Sequence, residues 1–473
     1  MVTIPIPFAS QAYALDSVQF AAQRCVNLFL EQGPPNGKVP VALRGIPSLT
    51  TYAEVGNGPI RGMIKLAEFV IVVSGVEVYR LSFNGDAFLL GQITGSQPVK
   101  MASNGDQILI LAGTGTSDGY IATTTDLTLI TDEDFLGGSD VDFIDGYFVL
   151  SVPDSDEFYI SALYDGFTYD PLDFARAEGA PDNIVGLIVD HREIWFGGAD
   201  TTEVWYNAGD ADFPFERTSG TFLQRGLGAR DSFVRLDNTL FWVGDDGIVY
   251  RAQGYNPARI STDAIEQQIA NAVSAADLIA FGYSLEGHAQ YVLKKPGQWT
   301  FVYDAATGLW HERQSAGRND YKVSTFVAAF DRLLVGDDRS GKIYFLDTSR
   351  FGQEDNSEDD TVDTMVSIMA APPLWANAQI ATLNALVVDF EHGVGITEGQ
   401  GSDPQVMLRY SDDGGYTWSS EKWRDLGKIG EFKTRARWNR LGSFRQRVLE
   451  VSISDPVRRT IMGGYVEVEG GRL

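Results

Sequence analysis

The sequence has little of the chemistry that marks a disulfide-stapled, zinc-binding or membrane protein. Its 473 residues include one cysteine, Cys25, and four histidines. A single cysteine excludes a disulfide framework and a cysteine-based zinc cluster. The first residues, MVTIPIPFASQ, lack a basic segment followed by a continuous apolar one, so we expect no secretory signal. Apolar runs such as Phe69–Val73 are too short to span a bilayer, and a soluble protein with no membrane segment is expected.

Long apolar patterns with helical spacing are also scarce, whereas residues that favour strands and turns are abundant. Apolar side chains make up 44% of the chain, which is enough to bury a large core. The 50 glycines and the many aromatic residues favour β-structure with tight turns. The composition therefore predicts an all-β protein.

The negative charge is large and unevenly distributed. The net charge is −27, yet residues 421–473 contain 12 Lys and Arg against 7 Asp and Glu, so this segment carries +5 and the rest of the chain −32. An acidic body is not suited to binding the phosphates of nucleic acid, because that affinity comes from cationic contacts. Two interpretations remain open. The acidity keeps the protein soluble, or it provides a surface that faces DNA without binding it.

A unit of strand, tight turn and strand recurs with a period of roughly 38–48 residues, the range of propeller blades. In the clearest copy, which begins at Ser232, Asp237-Asn238 and Asp245–Gly247 supply the turns, because Asn, Asp and Gly tolerate the positive φ that hairpins need. We therefore predict a β-propeller, with a solenoid of the same period as the alternative. Six blades remain if one start is false, and the seven candidate blades begin near Ile60, Val99, Val141, Ile184, Ser232, Ile279 and Val323.

The repeats occupy only part of the chain. We assign the propeller body to residues 56–350, preceded by residues 1–55, which are rich in proline and predict an extended N-terminal arm. Residues 351–364 are acidic and predict a linker or loop. Residues 365–473 lose the repeat and predict an additional C-terminal β-domain. The predicted strands of that domain are Leu383–Phe390, Gln405–Tyr410, Thr434–Asn439 and Arg447–Ile453.

One segment inside the propeller body has a helical pattern. Residues 261–274 predict a helical insertion or blade connector that begins with a capping box, in which Asp263 precedes Glu266 by three residues. Three apolar residues then fall on one face of the helix, and they are Ile265, Ile269 and Val273. The segment lies between two candidate blades, so it does not alter the blade count.

One motif in the C-terminal domain is best known from sialidases. Residues 411–418 match S-x-D-x-G-x-T-W, the Asp box, through Ser411, Asp413, Gly415, Thr417 and Trp418. The motif stabilises a hairpin, because its carboxylate accepts hydrogen bonds from turn amides, its glycine takes a left-handed conformation and its tryptophan packs beneath the turn. Sialidases carry several copies, none of them catalytic, whereas this chain has one good copy outside the repeats. We therefore interpret it as a structural hairpin motif.

No motif predicts an active site. Gly115–Gly119 fits G-x-S-x-G, but strand-like residues follow it, whereas a nucleophile elbow needs a helix there. Glycoside hydrolysis needs two positioned carboxylates, and among 64 Asp and Glu an accidental pair carries no information. We expect no enzyme activity, no cofactor and no metal site. The histidines lack the spacing of metal ligands, and they are His191, His288, His311 and His392.

The cationic residues of the C-terminal domain are concentrated between positions 422 and 447 and are interleaved with aromatic residues. Three interpretations compete: contact with nucleic acid, an interface with a protein, and an ordinary solvated face. We favour a protein interface that meets acidic partners or the acidic body of a neighbouring copy. Its candidate residues are Lys422, Arg424, Lys433, Arg435, Arg437, Arg440, Arg445 and Arg447.

Strand periodicity predicts how part of this tract is oriented. Side chains alternate between the two faces of a strand. Arg435, Arg437 and Asn439 would then share one cationic face. The opposite, partly apolar face would carry Ala436, Trp438 and Arg440.

Seven segments, distributed in sequence order along nearly the whole chain, carry a resemblance to a known family. They are Val26-Asn27, Leu43–Pro47, Asp182–Gly186, Glu203–Tyr206, Gln224–Ala229, Arg259–Glu266 and Gly399–Pro456. Together they resemble the packaged-DNA stabilisation proteins of short-tailed bacteriophages (podoviruses), which are tail hub or nozzle components. The resemblance implies a structural virion protein with a β-propeller body, made in the host cytoplasm and located in the tail. It transfers no catalytic residue.

The same resemblance implies an assembly and a set of partners. It implies a homohexamer, six copies in a ring, below the head-to-tail adaptor of the portal, with the tail needle and the tail fibres or tailspikes as further partners. The ring would close the portal-adaptor channel, retain the packaged DNA and form part of the ejection conduit, through which double-stranded DNA passes without specific binding. An acidic lumen would repel the DNA backbone and lower friction during genome ejection.

The competing hypothesis is a glycan-binding or sialidase-like propeller that acts on host-surface polysaccharide. The Asp box and the tryptophan content suggest it. Binding or turnover on a panel of sialosides and polysaccharides would distinguish it from a tail protein.

Overall fold

The fold is that of a computed structural model, which describes residues 2–8, 11–15, 21–34, 36–113, 118–272, 274–356, 358–376 and 379–470. Within these residues nearly all regular structure is β-strand, with one α-helix and two 3-10 turns, Arg230–Ser232 and Ala275–Asp277. No helix among them is long and apolar enough to cross a membrane. The first three residues of the G-x-S-x-G motif, Gly115 to Ser117, lie outside the described residues, as does Val273 of the predicted helix.

Seven groups of four antiparallel strands follow one another as the blades of a propeller. Blade 1 consists of Ile60–Leu66, Phe69–Ser74, Glu77–Leu81 and Ala87–Gln92. Blade 2 consists of Lys100–Ser103, Ile108–Leu111, Gly119–Ala122 and Leu127–Leu129. Blade 3 consists of Asp140–Ile144, Tyr147–Ser151, Glu157–Ala162 and Asp165–Arg176. Blade 4 consists of Ile184–Asp190, Glu193–Gly198, Thr202–Asn207 and Phe215–Arg217.

The remaining blades complete the ring. Blade 5 consists of Val234–Leu236, Thr239–Val243, Val249–Gln253 and Asn256–Arg259. Blade 6 consists of Ile279–Leu285, His288–Lys295, Trp299–Asp304 and Leu309–Glu312. Blade 7 consists of Val323–Ala329, Arg332–Asp337, Lys342–Phe351 and, from the beginning of the chain, Pro47–Glu54. The propeller prediction is confirmed with seven blades, at the seven starts that the sequence indicated.

The last blade closes the ring by combining strands from two parts of the chain. Its first strand, Val323–Ala329, lies beside the first strand of blade 1, Ile60–Leu66. Its outermost strand, Pro47–Glu54, pairs antiparallel with Lys342–Phe351. Because the strand that precedes blade 1 completes blade 7, the sheet hydrogen bonds of blade 7 link the two ends of the propeller.

Blade 5 shows why the repeat sequence forms a blade. Its first two strands are joined by Asp237 and Asn238, whose φ values are 52° and 58°, as a two-residue hairpin turn with right-handed strand twist requires. Leu236 pairs with Thr239 across that turn. Apolar side chains of the hairpin are buried, while Arg235 between two of them faces solvent. Strand alternation and the turn dipeptide thus account for the first hairpin of this blade.

The axis of the propeller is narrow. A space of about 250 Å³ among the innermost strands is bordered by Phe233, Phe281 and Phe326, and a wider cleft of about 730 Å³ adjoins it near Asp231 and Ile279, where these strands begin. Since a water molecule occupies about 30 Å³ in the liquid, the narrower space has room for about eight of them. A DNA duplex therefore cannot pass through a single propeller.

The C-terminal residues form a β-sandwich. The strands of its first sheet are, in order, Leu28–Gln32, Val41–Gly45, Thr460–Gly470, Ala381–Phe390 and Ala436–Phe444, and Val2–Ile6 pairs with Thr460–Gly470. The strands of its second sheet are Ala22–Val26, Ser367–Ala370, Gln446–Ile453, Gln405–Ser411 and Lys422–Asp425. Two short strands, Tyr13–Ala14 and Leu374–Trp375, add to this second sheet. Trp438, Leu386 and Val451 are buried between the sheets.

The sandwich is continuous with blade 6. Val26 of its second sheet pairs in parallel with Glu312, the last residue of blade 6. Arg24 reinforces the junction, because its guanidinium lies 2.6 Å from the Glu312 carboxylate. Residues before position 55, expected as an extended arm, supply strands to both sandwich sheets and to blade 7.

The acidic segment 351–364 forms a short hairpin, where we predicted a linker or loop. Its strands are Gln353–Asp355 and Val362–Thr364, and Glu354 pairs with Leu49 on the outer edge of blade 7. The ammonium groups of Lys322 and Lys342 reach the hairpin from blade 7. Fixed positive charge supplied from elsewhere in the fold therefore orders an acidic segment that has little apolar surface of its own.

The predicted helix forms over Asp263–Ala270, with Ile265 and Ile269 buried. The predicted capping box is wrong. Thr262 is the N-cap residue and makes no side-chain capping bond. Asp263 is therefore the first helical residue and not the cap, so Glu266 does not stand three residues after the N-cap. Glu266 bonds to the guanidinium of Arg259 at 2.7 Å.

Candidate interface on the β-sandwich

The strand Ala436–Phe444 positions much of the cationic tract. Ala436 and Trp438 point into the sandwich core, and the Trp438 indole donates a hydrogen bond to the Lys422 carbonyl at 2.7 Å. Arg435 faces solvent on the opposite side. Arg440 was predicted on the inner face, but it is exposed. Its φ is 58°, and the register shifts at this point, so a bulge turns its side chain outward.

Two of the candidate arginines stabilise the sandwich by contacts within the chain. The Arg437 guanidinium forms a bidentate pair with Glu467 at 2.8 and 2.9 Å. This pair raises the pKa of Arg437 and lowers the pKa of Glu467. Arg424 donates a hydrogen bond to the Arg437 carbonyl at 2.6 Å. The Arg437–Glu467 pair lies within the first sheet, across the strand Ala381–Phe390, whereas the Arg424 bond joins edge strands of the two sheets.

Arg447 was predicted as an interface residue, and the structure corrects this prediction. Its side chain is 1% exposed, so it is not available to a partner. Its guanidinium binds both carboxylate oxygens of Asp412 at 2.6 and 2.7 Å and donates to the Leu441 carbonyl at 2.6 Å. It also lies 4.1 Å from the centre of the Tyr410 ring. The residue ties the Asp-box hairpin to the strand beside it.

The remaining candidates stay at the surface. Lys422 is half-buried, with its ammonium 5.5 Å from the centre of the Tyr410 ring. The four others are exposed and form no ion pair with any residue that the structure describes: Lys433, Arg435, Arg440 and Arg445. Unpaired exposed cations next to apolar surface are suited to a protein partner that carries carboxylates.

A cleft of about 820 Å³ lies beside two of these free cations, Lys433 and Arg435. Phe432 stands at its border with 72% of its surface exposed. The cleft also contains Lys38 from the N-terminal residues, paired with Asp389 at 2.5 Å. Sequence analysis missed Lys38 and Phe432. Lys38 is almost 400 residues away in sequence from the other cations of the cleft. Phe432 lies between two strands, so strand alternation could not predict that its side chain is exposed.

The Asp-box residues form a closed network of hydrogen bonds. The Asp413 carboxylate accepts bonds from the Ser411 hydroxyl at 2.6 Å, the Thr417 hydroxyl at 2.5 Å and the Thr417 amide at 2.9 Å. These donors hold the pKa of Asp413 well below its usual range. The Ser411 hydroxyl also accepts from the Gly415 amide at 2.7 Å, where φ is 111°. Trp418 packs on a small buried cluster next to the hairpin. The carboxylate is thus occupied by the turn itself.

The histidines do not form a common site. His288 is buried and bonds to Asp304 at 2.8 Å. Burial lowers the pKa of His311 well below its usual value. His191 occupies an exposed turn, where bonds to Asp190 and Asn238 raise its pKa. Among the described residues, no three His, Cys, Asp or Glu are grouped so that they could hold a metal ion.

Comparison with known proteins agrees with this architecture. The family model described as "Bacteriophage P22 Gp10, beta-propeller" matches residues 3–350, and the model described as "Bacteriophage P22 Gp10, beta-sandwich" matches residues 367–469. A search of the curated proteins found no match.

Similar solved structures include three with low sequence identity. The computationally designed Ika8 protein is 14% identical, with a TM-score of 0.38 over 63% of this chain and 99% of that one. BamB from Moraxella catarrhalis is 10% identical, with a TM-score of 0.40 over 73% of this chain and 98% of that one. A chain of the mitotic checkpoint complex is 10% identical, with a TM-score of 0.42 over 67% and 97%. On the evidence of the two family models, which cover most of its length, this chain belongs to the bacteriophage P22 Gp10 family, a family of structural phage tail proteins.

Proposed function

We propose that the protein is the hub, or nozzle, of a short phage tail, which closes the portal-adaptor channel, retains packaged DNA and forms part of the ejection conduit. One observation carries the proposal. The propeller and the sandwich both match one phage family, in the same order, over residues 3–350 and 367–469. The proposal does not include an enzyme activity, and it locates the protein in the virion tail after synthesis in the host cytoplasm.

The geometry of the propeller supports a conduit made by several copies. The narrow part of the axis in one chain measures about 250 Å³, and three phenylalanine rings border it. DNA therefore cannot use the axis of an individual propeller. A channel for double-stranded DNA would have to lie between chains arranged around a common axis. We propose a ring of six copies below the head-to-tail adaptor, with the tail needle and the fibres or tailspikes as further partners.

Electrostatics supports transit of DNA without binding. Outside residues 421–473 the chain carries −32. A duplex carries one negative charge per about 1.7 Å of its axis, and at physiological ionic strength repulsion extends over about 8 Å. An acidic wall would therefore keep the duplex from adhering. A channel wall found to be neutral or basic in the assembled ring would contradict this part of the proposal.

The test is assembly. The purified full chain is examined by native mass spectrometry and negative-stain imaging, alone and with the head-to-tail adaptor of the phage that encodes it. We expect six-fold rings, either with the chain alone or only on the adaptor. A chain that remains monomeric and ignores the adaptor would overturn the proposal. In that event, binding to a sialoside and polysaccharide panel would test the glycan hypothesis.

A further inference from the structure

The negative charge is concentrated on one side of the propeller. Residues 106–216, which span most of blades 2 to 4, contain 24 Asp and Glu but only two Lys and Arg. No lysine occurs between Lys100 and Lys294. Blade 3, in the middle of this sector, is three blades away from blade 6, where the sandwich is attached. Each chain thus carries an acidic region and a cationic region on separate parts of the molecule.

The outermost strand of blade 3 presents apolar side chains within this acidic sector. Tyr159 pairs with Phe174, but the next pair is Ser161 with Tyr169, so residues 170–173 bulge out of the sheet. Leu172 is 77% exposed and Phe174 is 42% exposed. We call residues Asp170–Phe174 the acidic ridge.

The ridge is suited to contact through side chains rather than by strand addition. Pro171 has no backbone N–H, and a proline on an edge strand discourages pairing with another strand. Asp170 and Asp173 flank the exposed Leu172. Burial and the neighbouring Asp170 raise the pKa of Asp173, so the two negative charges destabilise each other in the isolated chain. A cationic partner would relieve that repulsion.

The cleft on the sandwich has the complementary chemistry. Its cations Lys433 and Arg435 form no ion pair among the described residues, and Phe432, Met462 and Tyr465 supply apolar and aromatic surface. Its volume of about 820 Å³ is large enough for several side chains. We call it the basic cleft.

We propose that the acidic ridge of one copy docks in the basic cleft of a second copy. Leu172 would anchor the contact in the cleft, and Asp170 and Asp173 would meet Lys433 and Arg435. Opposite charge over a buried apolar centre is the usual composition of a specific interface. The two surfaces differ, so the contact is heterologous, and such contacts build closed rings or open filaments. The inference names the contact that would assemble the proposed ring, and so it rests on the proposed function.

Disulfide trapping tests the contact directly. The chain has one native cysteine, Cys25, which is fully buried, so introduced thiols can be followed without interference. The full-length variants Leu172→Cys and Phe432→Cys are mixed at high concentration and oxidised. We expect a disulfide-linked dimer that contains one copy of each. The control mixture replaces Leu172→Cys by Val76→Cys, an exposed position on blade 1, and should give no such dimer. Equal yields in the two mixtures would overturn the proposal.

Charge exchange provides a second, independent measurement. The double variant Asp170→Lys/Asp173→Lys should self-associate at least about tenfold more weakly than the native chain, because like charges would face each other. The double variant Lys433→Glu/Arg435→Glu should show the same loss. The chain that carries all four substitutions should regain association, since the charges are again opposite. Failure of the fourfold variant to recover, when each double variant is folded by circular dichroism, would overturn the proposal.

The two experiments separate this contact from the proposed function. Six-fold rings that form normally in both charge variants would refute the ridge-cleft contact and leave the tail-hub function standing. A native chain that never assembles, even on the adaptor, would refute the tail-hub function itself.

Discussion

Charged side chains are placed differently in two parts of the propeller, although the blades have the same strand geometry. Blades 6 and 7 bury paired charges, whereas blades 2 to 4 carry an excess of carboxylates. In blades 6 and 7, four lysine side chains are buried and each lies within 4 Å of a carboxylate: Lys294, Lys295, Lys322 and Lys342. Lys294 is completely buried and lies 2.6 Å from the Asp338 carboxylate. Residues 106–216, by contrast, contain no lysine and leave many carboxylates in solvent.

The buried ion pairs lie near the place where the propeller ring is closed. Blade 7 joins two distant parts of the chain and also receives the acidic hairpin, so opening of the ring would begin there. Buried ion pairs at this place contribute specificity, because removing one partner leaves a charge without compensation. Blades 2 to 4 also contain a buried carboxylate, Asp140, which pairs with Lys100 at 3.2 Å. They differ in having a large excess of carboxylates over cations, and several of those carboxylates, among them Asp170, face solvent.

The largest effect is expected from Lys294→Met. Its ammonium is hydrogen-bonded to the Tyr321 carbonyl and to Asp338. Without it, Asp320 and Asp338 would share Arg318, and only the exposed Arg339, 4.0 Å from Asp338, would add a second cation. We expect a loss of about 3 kcal/mol in the free energy of unfolding, measured by equilibrium denaturation. The control Lys65→Met, at an exposed lysine of blade 1, should change it by less than about 0.5 kcal/mol. Equal losses of stability in the two variants would contradict the distinction between buried, paired lysines and exposed ones.

A somewhat smaller loss is expected from Arg447→Leu in the sheet that continues blade 6. The variant leaves the Leu441 carbonyl without its donor, although water can solvate the half-exposed Asp412. We expect a loss of about 2 kcal/mol by the same method. Arg435→Leu, on the solvent side of the same domain, should stay within about 0.5 kcal/mol. A large effect at Arg435 in the monomer would contradict its assignment as a free cation.

The two regions should respond to acid in opposite directions. Bonds and charges from Arg318 and Lys294 outweigh burial and lower the pKa of Asp320 and Asp338. Their stabilisation is thus present above about pH 4, the ordinary Asp value, and is lost as the pH falls through the lowered pKa. Burial and Asp170 raise the pKa of Asp173. This residue therefore destabilises the fold at neutral pH, and the penalty disappears as the pH falls through the raised pKa.

Unfolding free energies of two variants, measured between pH 3 and pH 7, would test this contrast. Asp320→Asn should lower stability at neutral pH and remove part of the acid-induced loss. Asp173→Asn should raise stability at neutral pH by roughly 0.3 kcal/mol, since the group is partly solvated, and should have no effect at the acid end. Changes of the same sign in both variants would contradict the comparison.

The smallest and most local effect is expected from Asp413→Ala. The exposed Asp-box turn would lose three accepted hydrogen bonds. Amide hydrogen exchange should accelerate at Gly415 and Thr417 and remain unchanged in blades 1 to 7. Asp403→Ala, which removes only an exposed carboxylate 3.6 Å from Lys428, serves as the control. A loss of stability in the whole protein on Asp413→Ala would contradict the prediction of a local effect, because it would show that the hairpin stabilises other parts of the fold.

Sequence reasoning worked best where neighbouring residues decide the structure. All seven blade starts were predicted, because each first hairpin depends on alternation and on a turn such as Asp237-Asn238. The helix was also predicted, but its capping box was not formed, because the N-cap is Thr262, one residue before the predicted Asp263, and Glu266 bonds to Arg259 of the preceding strand. Similarly, strand alternation correctly placed Trp438 in the core but not Arg440, since a bulge interrupts the register.

The candidate interface was predictable only in outline. The excess of cations near the C-terminus is visible in the sequence, yet burial of Arg447 depends on Asp412, a residue of a different strand connection. The basic cleft combines residues near position 430 with Lys38, and the acidic ridge depends on a shift in strand register. Neither the basic cleft nor the acidic ridge produces a periodic pattern in the sequence from which it could have been predicted.

The sequence by itself determined the β-blade repeat, the Asp-box hairpin and the segregation of charge, because each depends on residues a few positions apart or on composition. It left the blade count at six or seven, and the structure decided for seven. Only the tertiary structure decided that Pro47–Glu54 completes blade 7, that blade 6 continues into the sandwich and which cations remain free. Those features arise when segments hundreds of residues apart pair or bury one another. Such contacts are selected by the packing of the whole chain, and local patterns do not encode them.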